Sequence, residues 1–391
     1  MMNNLITDIS YRIRPKFKEE LSGDVIKVIQ KENNETIIVL ADGLGSGVKA
    51  NILATLTTQV LTTMLKENMS IEEATQMLAD TLPVCSLRKV AYSTFTIIQI
   101  HQDFTCDIYE YDNPKSLYYQ KHCPVELVTS KRLISDKRIY YTRIKLHEGD
   151  TLLAFSDGIV HAGVGKTLNF GWTRNEIQVY AKRLIDLNVS SNGITSALMY
   201  KTGKLYEQEP GDDCSVVCVQ VKPRVPVLVM VGPPKDKNHD RQFLDLFFSK
   251  KGKRVVCGGT TANLVSDYLH QEIKVDLFSN DSAIPPIAWI EGIDVVTEGV
   301  ITINKVLEYA KEATGENTDV KKRFKGKDGA SILANLLFEE STDIHFFIGQ
   351  AVNPAHQNPD LPIGFHIKMQ LLTQLIEHLR KMGKTIQTTY Y

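Results

Sequence analysis

Four short acidic motifs, each next to an apolar run, constrain this chain more than any other feature of its sequence. They are Gly23-Asp24, Asp42-Gly43, Ser156-Asp157-Gly158 and Gly211-Asp212-Asp213. The apolar runs are typical of strands, and neighbouring strands of a sheet lie about 4.8 Å apart. Carboxylates at adjoining strand ends would therefore gather around one place. Such a place suits a hard divalent cation, because Mg²⁺ and Mn²⁺ prefer oxygen ligands.

A single Asp-Gly pair is most simply a turn. Four acidic motifs that flank strands within one region point further, because a cluster of repelling carboxylates is costly unless a metal neutralises it. Gly43 lets the backbone approach closely, so that its carbonyl can also bind a cation. Gly45 and Gly47 then allow a tight turn into a helix that begins near Val48. The pattern predicts a metal centre.

From about residue 22 to 221 the sequence indicates many strands and a few helices. The strand-like runs are 36–41, 94–100, 104–111, 139–146, 151–155 and 215–221, and the helical runs lie near 48–66, 71–82, 175–187 and 193–206. Ser70 followed by Glu73 forms a capping box at the start of the second helix. Strands mostly in series, with helices arriving in pairs, predict two antiparallel sheets covered by helices.

Apolar residues recur at every fourth position of the first helix. Val48, Ile52, Leu56 and Val60 lie on one line, and Leu53, Leu61, Met64 and Leu65 widen it. Such a stripe is typical of the side of an amphipathic helix that packs on a core. We therefore expect an amphipathic helix here.

A break in the pattern follows at Lys222-Pro223-Arg224-Val225-Pro226. Beyond it, strand-like and helical runs alternate, which is typical of a small α/β domain with a mostly parallel sheet. At 391 residues the chain is also long for a single core. We predict two domains, 1–223 and 226–391.

Composition excludes several classes of partner. The formal net charge is −1, with 45 Lys and Arg against 46 Asp and Glu, so no positive field favours nucleic acid or an anionic membrane. There is no apolar run of about 18 residues and no signal-peptide pattern, and we expect a cytoplasmic protein. The six cysteines, at positions 85, 106, 123, 214, 218 and 257, include no Cys-x-x-Cys pair. We expect them to be buried, reduced thiols.

The order of the acidic motifs resembles that of the type 2C (PPM) serine/threonine protein phosphatases. The further marks are Gly43-Leu44-Gly45-Ser46-Gly47, which opens a helix, and Cys214-Ser215, which enters the last strand. More narrowly, residues 20–221 resemble the bacterial branch that is similar to sporulation protein E. The resemblance implies an α-β-β-α sandwich with two divalent cations, Mn²⁺ or Mg²⁺, in a cleft between the sheets. It also implies that a metal-activated water hydrolyses phosphoserine or phosphothreonine, in bacterial signalling or regulation.

The resemblance assigns roles to individual residues. The implied metal-binding residues are Asp24, Asp42, Gly43, Asp157, Asp212 and Asp213, of which Asp42 and Asp157 are the catalytic candidates. Asp42 is similar to the carboxylate that bridges both cations, with the Gly43 carbonyl on one of them. Asp157 and Asp212 match ligands of the other cation. Asp24 acts directly or through a water, and Asp213 is left open between a ligand and a residue that holds a water.

Some positions depart from the family pattern or stay open. The phosphate-binding arginine of eukaryotic members has no obvious counterpart, and Arg12 and Arg14 are the candidates upstream. Cys214 replaces the usual Met or Ala. His161, four residues after Asp157, is either a general acid or a polar surface histidine.

The resemblance does not extend to residues 226–391, and we expect this domain to sense a signal or dock a partner. The segment Gly258-Gly259-Thr260-Thr261 lies between a strand and a helix, so it is either an anion site or a tight turn. Asp236, His239 and Asp240 are more simply a solvated loop than a metal site.

The expected partner of the whole chain is a phosphorylated protein substrate, with an anti-sigma-antagonist-like regulator as one candidate. We expect neither nucleic acid nor membrane as a partner, and a homodimer is left open. Two other functions stay open: a weak or inactive phosphatase fold that acts as a binding or sensor protein, and a metal hydrolase of small phosphate esters.

Overall fold

Three β-sheets organise the chain in a computed structural model, which describes residues 4–31, 35–81, 93–134, 137–275, 287–315, 326, 328–351 and 363–391. The chain divides into two compact units. The first unit is Ile9–Lys222, and the second is Pro223–Tyr391 together with Met1–Asp8. The first unit therefore ends within the segment 222–226 that breaks the sequence pattern, and the first eight residues group with the second unit.

Two sheets form the first unit, except that residues 5–8 of one strand group with the second unit. One has the order β2 (Asp24–Gln30), β3 (Thr36–Asp42), β4 (Thr94–Ile100), β5 (Thr105–Tyr111), β9 (Lys137–Lys145) and β8 (Ser130–Ile134), with antiparallel neighbours throughout. The other has the order β1 (Leu5–Arg14), β11 (Cys214–Pro223), β10 (Thr151–Phe155), β6 (Leu117–Gln120) and β7 (Cys123–Val125). In this second sheet β10 pairs antiparallel with both of its neighbours.

Helices cover one face of each sheet. The first sheet packs against α1 (Gly47–Lys66) and α2 (Ile71–Thr81), and the second against α3 (Asp157–Val160), α4 (Arg174–Asp186) and α5 (Ser191–Leu205). Val39 of β3 lies in the core under α1, and Phe155 of β10 lies in the core under α4 and α5. The other face of β3 is buried as well, as Ile38 and Leu40 show. The predicted pair of antiparallel sheets between helical layers is confirmed.

The apolar stripe of α1 is buried in the second half of the helix, where Leu61, Met64 and Leu65 lie in the core, and exposed in the first half. Val48 is 61% exposed and Ile52 is 52% exposed, whereas Ala50 and Ala54 are fully buried. Val48 and Ile52 point away from the sheet because α1 lies very close to the end of β3. A Cβ on Gly43, the residue after β3, would lie 2.0 Å from the Ala50 carbonyl oxygen. Only small side chains fit such an approach, so in the first half of α1 the side with Ala50 and Ala54 faces the sheet.

Several strands lie where the sequence pattern is weak. The strands β6, β7 and β8 have only three to five residues each, which is too short for alternation to be recognised. β5 begins at Thr105 rather than Phe104, because Phe104 has a φ of 66° and belongs to the preceding turn. The second helix is described as far as Thr81, so its predicted end at Leu82 lies outside the described residues.

A mostly parallel sheet forms the second unit, as predicted. Its order is β14 (Lys274–Val275), β15 (Ala288–Trp289), β16 (Val295–Thr297), β13 (Lys253–Cys257), β12 (Pro226–Val231), β17 (Asp343–Ile348) and β18 (Thr385–Tyr390). The strands from β16 to β18 in this order pair in parallel, and β14 and β15 add an antiparallel edge.

Helices cover both faces of this sheet. On one face lie α6 (Asp240–Ser249) and α7 (Gly259–Leu269), and on the other lie α8 (Val300–Thr314), α9 (Gly329–Asn335) and α10 (Ile363–Lys381). The central strand β12 is therefore buried on both sides, which explains its continuous apolar sequence from Val227 to Val231. None of the described helices combines the length and apolar character needed to span a membrane.

We predict that residues 1–223 fold without the rest of the chain. They contain the whole first unit, with both of its helix-covered sheets. We expect circular dichroism of the purified fragment to show one cooperative thermal transition. A matched fragment that ends at residue 211 lacks β11, the strand between β1 and β10, and we expect it to aggregate. Aggregation of 1–223 itself, with rescue only by residues 226–391, would contradict the proposed boundary.

Candidate functional site

Two of the acidic residues face each other across the first sheet. Asp24 opens β2 and Asp42 ends β3, and the register pairs them directly. Opposed residues of antiparallel strands have Cα atoms about 4.5–5.5 Å apart, and like charges at such positions repel. Asp24 is only 1% exposed, so water does little to screen this pair.

The other acidic residues lie at the ends of two neighbouring strands inside the second sheet. Asp157 begins α3 directly after β10, and Asp212 and Asp213 immediately precede β11. β10 and β11 are neighbours. A Cβ on Gly158 would lie 2.0 Å from the Asp213 carbonyl oxygen, so the two segments touch here and the sequence needs a glycine at this point.

Asp213 links the two groups of carboxylates. Its Oδ1 accepts the Lys16 N–H at 3.0 Å, and a Cβ on Gly23 would lie 2.7 Å from its Oδ2. Because Gly23 precedes Asp24, Asp213 lies beside the opposed pair. The fold therefore brings together five predicted carboxylates, Asp24, Asp42, Asp157, Asp212 and Asp213.

Burial and mutual repulsion raise the pKa values of these carboxyls. The pKa of Asp42 is raised first by burial and then by the charge of Asp24. Burial is also the main cause that raises the pKa of Asp24. The pKa of Asp212 is raised by burial and then by the charge of Asp157. In each case the surroundings disfavour the charged form, and a nearby cation would favour it.

The Asp24 carboxyl fits a cation ligand. Both of its oxygens are buried, and neither has a hydrogen-bond partner among the described residues. The Ser156 and Ser215 hydroxyls lie near enough to lower its pKa, but neither makes a hydrogen bond of normal geometry to it. A buried, unpartnered carboxylate is costly, and a divalent cation would satisfy it.

The donor set is carboxylate and carbonyl oxygen, which suits Mg²⁺ or Mn²⁺. Within the part of the chain that the structure describes, no three or more His, Cys, Asp or Glu side chains are already drawn to metal-ligand spacing. The N–H of Gly43 donates to the Gly23 carbonyl at 3.0 Å, and the use of the Gly43 carbonyl as a ligand stays a prediction.

The two arginines considered for phosphate binding are engaged in other contacts. Arg12 Nη2 donates to Asn192 Oδ1 at 3.2 Å. Arg14 Nη2 donates to the Gln208 carbonyl and to its Oε1, at 3.3 and 3.2 Å. Neither guanidinium is therefore free to approach the carboxylates without breaking a contact.

Lys16 is a nearby cation that the sequence analysis missed. Its charge lowers the pKa of Asp212, against the stronger effect of burial. Its ammonium makes no ion pair with any described residue. Lys16 carries no motif, and its only sequence signal was its place a few residues before Gly23-Asp24.

His161 lies beside Asp157, with its Nδ1 3.9 Å from Asp157 Oδ2 and more than half of its side chain exposed. This exposure is that of a polar surface histidine, and the alternative of a general acid stays open.

The cysteines at the described positions are free thiols, and most are buried. Burial holds the pKa of Cys214 well above its usual range, so this thiol beside the site is no nucleophile. Cys106, Cys218 and Cys257 are buried as well. Cys123 is exposed, contrary to expectation, because the short strand β7 leaves its side chain in solvent. Cys85 lies outside the described residues.

In the second unit, Gly258 has a φ of 108° and precedes α7 without a side-chain cap. An anion site and a tight turn both remain open there. Asp236 accepts the Asn238 N–H and so caps the short turn Lys237–His239. This contact gives Asp236 a structural role and favours the solvated loop over a metal site.

Residues 32–222 match the family model described as stage II sporulation protein E (SpoIIE). This part of the chain is a SpoIIE-family domain. The matched region contains Asp42, Asp157, Asp212 and Asp213, and it begins after Asp24. The assignment of Asp24 therefore depends on its register with Asp42. A comparison with curated proteins gives no match.

Solved structures similar to this chain include several bacterial phosphatase domains. The phosphatase domain of SpoIIE from Bacillus subtilis is 20% identical, over 58% of this chain and 96% of that one, with a TM-score of 0.44. The RsbU and RsbW domains of a Mycobacterium tuberculosis protein are 15% identical, over 62% and 70%, with a TM-score of 0.48. The SiaA PP2C domain of Pseudomonas aeruginosa is 15% identical, over 54% and 85%, with a TM-score of 0.43.

We predict that the metal-free protein loses stability as pH rises from about 4 through neutrality. A carboxyl of the unfolded chain ionises near pH 4, whereas the raised pKa values of Asp24 and Asp42 keep the folded carboxyls protonated to higher pH. Over this range the folded state binds more protons than the unfolded state, so its stability falls with rising pH. Thermal unfolding in excess chelator at several pH values measures this fall.

Asp42→Asn removes one of the repelling groups. At pH 8 in chelator we expect this variant to be more stable than the wild type by at least about 1 kcal/mol, roughly the value of one unit of pKa shift. Asp186→Asn is the matched control, because Asp186 is an exposed partner of Lys182 and lies outside the carboxylate group. A lower stability of Asp42→Asn than of both other proteins would contradict the repulsion.

Proposed function

We propose that the first unit is a metal-dependent phosphoserine/phosphothreonine protein phosphatase. The observation that carries this proposal is the group of carboxylates at adjoining strand ends, in which both oxygens of Asp24 are buried and unpartnered. The SpoIIE-family membership of residues 32–222 supports the same reaction class.

In this proposal two divalent cations, Mn²⁺ or Mg²⁺, bind between the sheets. Asp42, the Gly43 carbonyl, Asp157 and Asp212 would hold the two cations, with Asp42 as the ligand that they have in common. Asp24 acts directly or through a water. These ligands stand on the ends of hydrogen-bonded strands, which hold them within the small tolerance that a metal site allows.

Asp213 has a different role in this proposal. Its Oδ1 already accepts the Lys16 N–H, and its Oδ2 lies against Gly23. These contacts favour a role for Asp213 in joining the two sheets, or in holding a water, over a role as a direct metal ligand.

When bound, the cations would supply an activated water for in-line attack and would neutralise the phosphoryl oxygens. The chain itself orients the phosphoryl group, and Lys16 is the residue for this task because its ammonium has no ion-pair partner among the described residues. Asp157 is 44% exposed at its side chain, so the site is open enough for a phosphorylated protein segment.

The proposed substrate is a phosphorylated regulatory protein of the anti-sigma-antagonist type, in the cytoplasm of a bacterium. For the second unit we propose sensing or docking, and a homodimer is left open. An inactive binding or sensor protein would be expected to lack a ligand, yet all the assigned positions carry a competent residue. A hydrolase of small phosphate esters would release phosphate from such esters far faster than from phosphopeptides.

We predict that activity requires Mn²⁺ or Mg²⁺ and that Asp42→Asn or Asp157→Asn lowers turnover by several orders of magnitude. Each change removes a charged ligand while it keeps the size of the side chain. Phosphate release from phosphothreonine peptides, with and without chelator, measures the effect. Asp186→Asn serves as the control and should keep full activity. Full activity of either site variant, or of the wild type in excess chelator, would sink the phosphatase proposal.

We predict that Lys16→Gln raises KM about tenfold or more, because hydrogen bonds to charged groups contribute about 1.5–3 kcal/mol. Lys16→Arg should restore most of the affinity, since a positive charge returns to the same place. Lys18→Gln is the matched control, because the Lys18 ammonium lies over the Phe17 ring. Equal KM values for Lys16→Gln and Lys18→Gln would remove Lys16 from phosphate binding.

A further inference from the structure

The loop after α3 carries two exposed apolar side chains next to the carboxylate group. This loop, residues 161–172, connects α3 to the approach of α4. Phe170 is 87% exposed and Val164 is 48% exposed. The loop begins one helical turn after Asp157, and the His161 N–H donates to the Asp157 carbonyl at 2.8 Å.

Phe170 lies near this turn because the end of the loop folds back on its beginning. A Cβ on Gly171 would lie 2.5 Å from the Val160 carbonyl oxygen and 3.1 Å from the His161 Cα. Neighbouring Cα atoms are about 3.8 Å apart and a helical turn rises about 5.4 Å. Phe170 therefore lies on the order of 10 Å from Asp157.

Several contacts hold the loop in place. Lys166 Nζ donates to the Tyr206 carbonyl at 3.0 Å, and Thr167 Oγ1 donates to the Leu205 carbonyl at 2.7 Å. At the far end of the loop Trp172 is buried in the core. These contacts join the loop to the end of α5, so Phe170 stands on a braced loop rather than on a free one.

Tyr206 extends this bracing to the site. Its hydroxyl donates to the Gly158 carbonyl at 2.9 Å, and Gly158 follows Asp157. The loop, the end of α5 and the Asp157 segment are thus connected by hydrogen bonds. The loop is therefore within reach of a segment that delivers a phosphoryl group to Asp157.

We propose that Phe170 and Val164 form an apolar rim that selects the substrate. This inference rests on the proposed phosphatase function. The rim binds an apolar side chain of the phosphorylated segment, about three residues from the phosphorylated residue, since an extended chain rises about 3.3 Å per residue. A single exposed apolar residue is ordinary on a protein surface, but here two are held beside the site. A braced aromatic side chain loses little freedom on binding, and aromatic residues dominate binding hot spots.

The test uses phosphothreonine peptides that differ at one position. Each peptide of one set carries a single leucine, at one of the four positions before or the four positions after the phosphothreonine. The matched peptide of the other set carries serine at the same position. Phosphonate versions of the same peptides cannot be hydrolysed, and fluorescence anisotropy gives their Kd without turnover. The variants are Phe170→Ala and, as control, Leu187→Ala. Leu187 suits the control because it is exposed, at 74%, and far from the site. It lies near the start of α5, a helix about 22 Å long, whereas Asp212 follows the end of that helix.

We expect the wild type to bind peptides with leucine about three residues from phosphothreonine roughly tenfold more tightly than the serine peptides. Phe170→Ala should lose this preference, and Leu187→Ala should keep it. All three proteins should hydrolyse p-nitrophenyl phosphate at equal rates, because this small ester does not reach the rim. Phe170 is exposed, so thermal unfolding should be the same in all three.

Two results would overturn the rim: an unchanged leucine preference in Phe170→Ala, or no leucine preference in the wild type. A loss of p-nitrophenyl phosphate hydrolysis in Phe170→Ala as large as its loss of peptide affinity would also overturn the rim. Phe170 would then support the site as a whole. Lack of Mn²⁺-dependent hydrolysis of every substrate by the wild type would instead count against the phosphatase function. The Kd values of the phosphonate peptides would still decide the rim in that case.

Discussion

The repulsion between Asp24 and Asp42 is the constraint on which the rest of the site depends. The two residues oppose each other across one rung of the first sheet, and Asp24 is buried. A sheet gains nothing from two like charges in this position. Burial raises the pKa of both carboxyls, so the folded chain carries a cost that a cation would remove. We therefore regard the pair as functional rather than as part of the scaffold.

The surrounding structure supports this pair by close backbone approach. Gly23 allows Asp213 to lie beside Asp24, and Gly158 allows the Asp157 segment to touch Asp213. Gly43 allows α1 to approach the end of β3. In each case a side chain would collide with a neighbouring atom at less than 3 Å. The glycines of the acidic motifs thus bring two sheets and a helix close enough for their carboxylates to share one place.

Much of this arrangement could be predicted from the sequence. The sequence shows which acidic residues lie at strand ends, because a strand ends where its apolar run ends. Beyond residue 226, strand-like runs alternate with helical runs, which predicts a parallel sheet because parallel strands are usually connected by a helix. Which face of the first half of α1 meets the sheet could not be predicted, because Val48 and Ile52 are exposed although they continue the apolar stripe whose second half, with Leu61, is buried. That choice is made by the contact of Gly43 with Ala50, which is a tertiary contact. Lys16 was missed because a single lysine after a strand carries no pattern.

Equilibrium binding of Mn²⁺ to the full chain tests the central claim most directly, namely that the buried carboxylates gathered by the fold form a site for divalent cations. Electron paramagnetic resonance counts the free ions, and a pH indicator follows proton release in the same titration. The account predicts two bound ions per chain, together with proton release at neutral pH, because carboxyls with raised pKa values must ionise to bind metal. It also predicts that Asp42→Asn loses both the ions and the protons. Binding without proton release, or equal binding by wild type and Asp42→Asn, would contradict it.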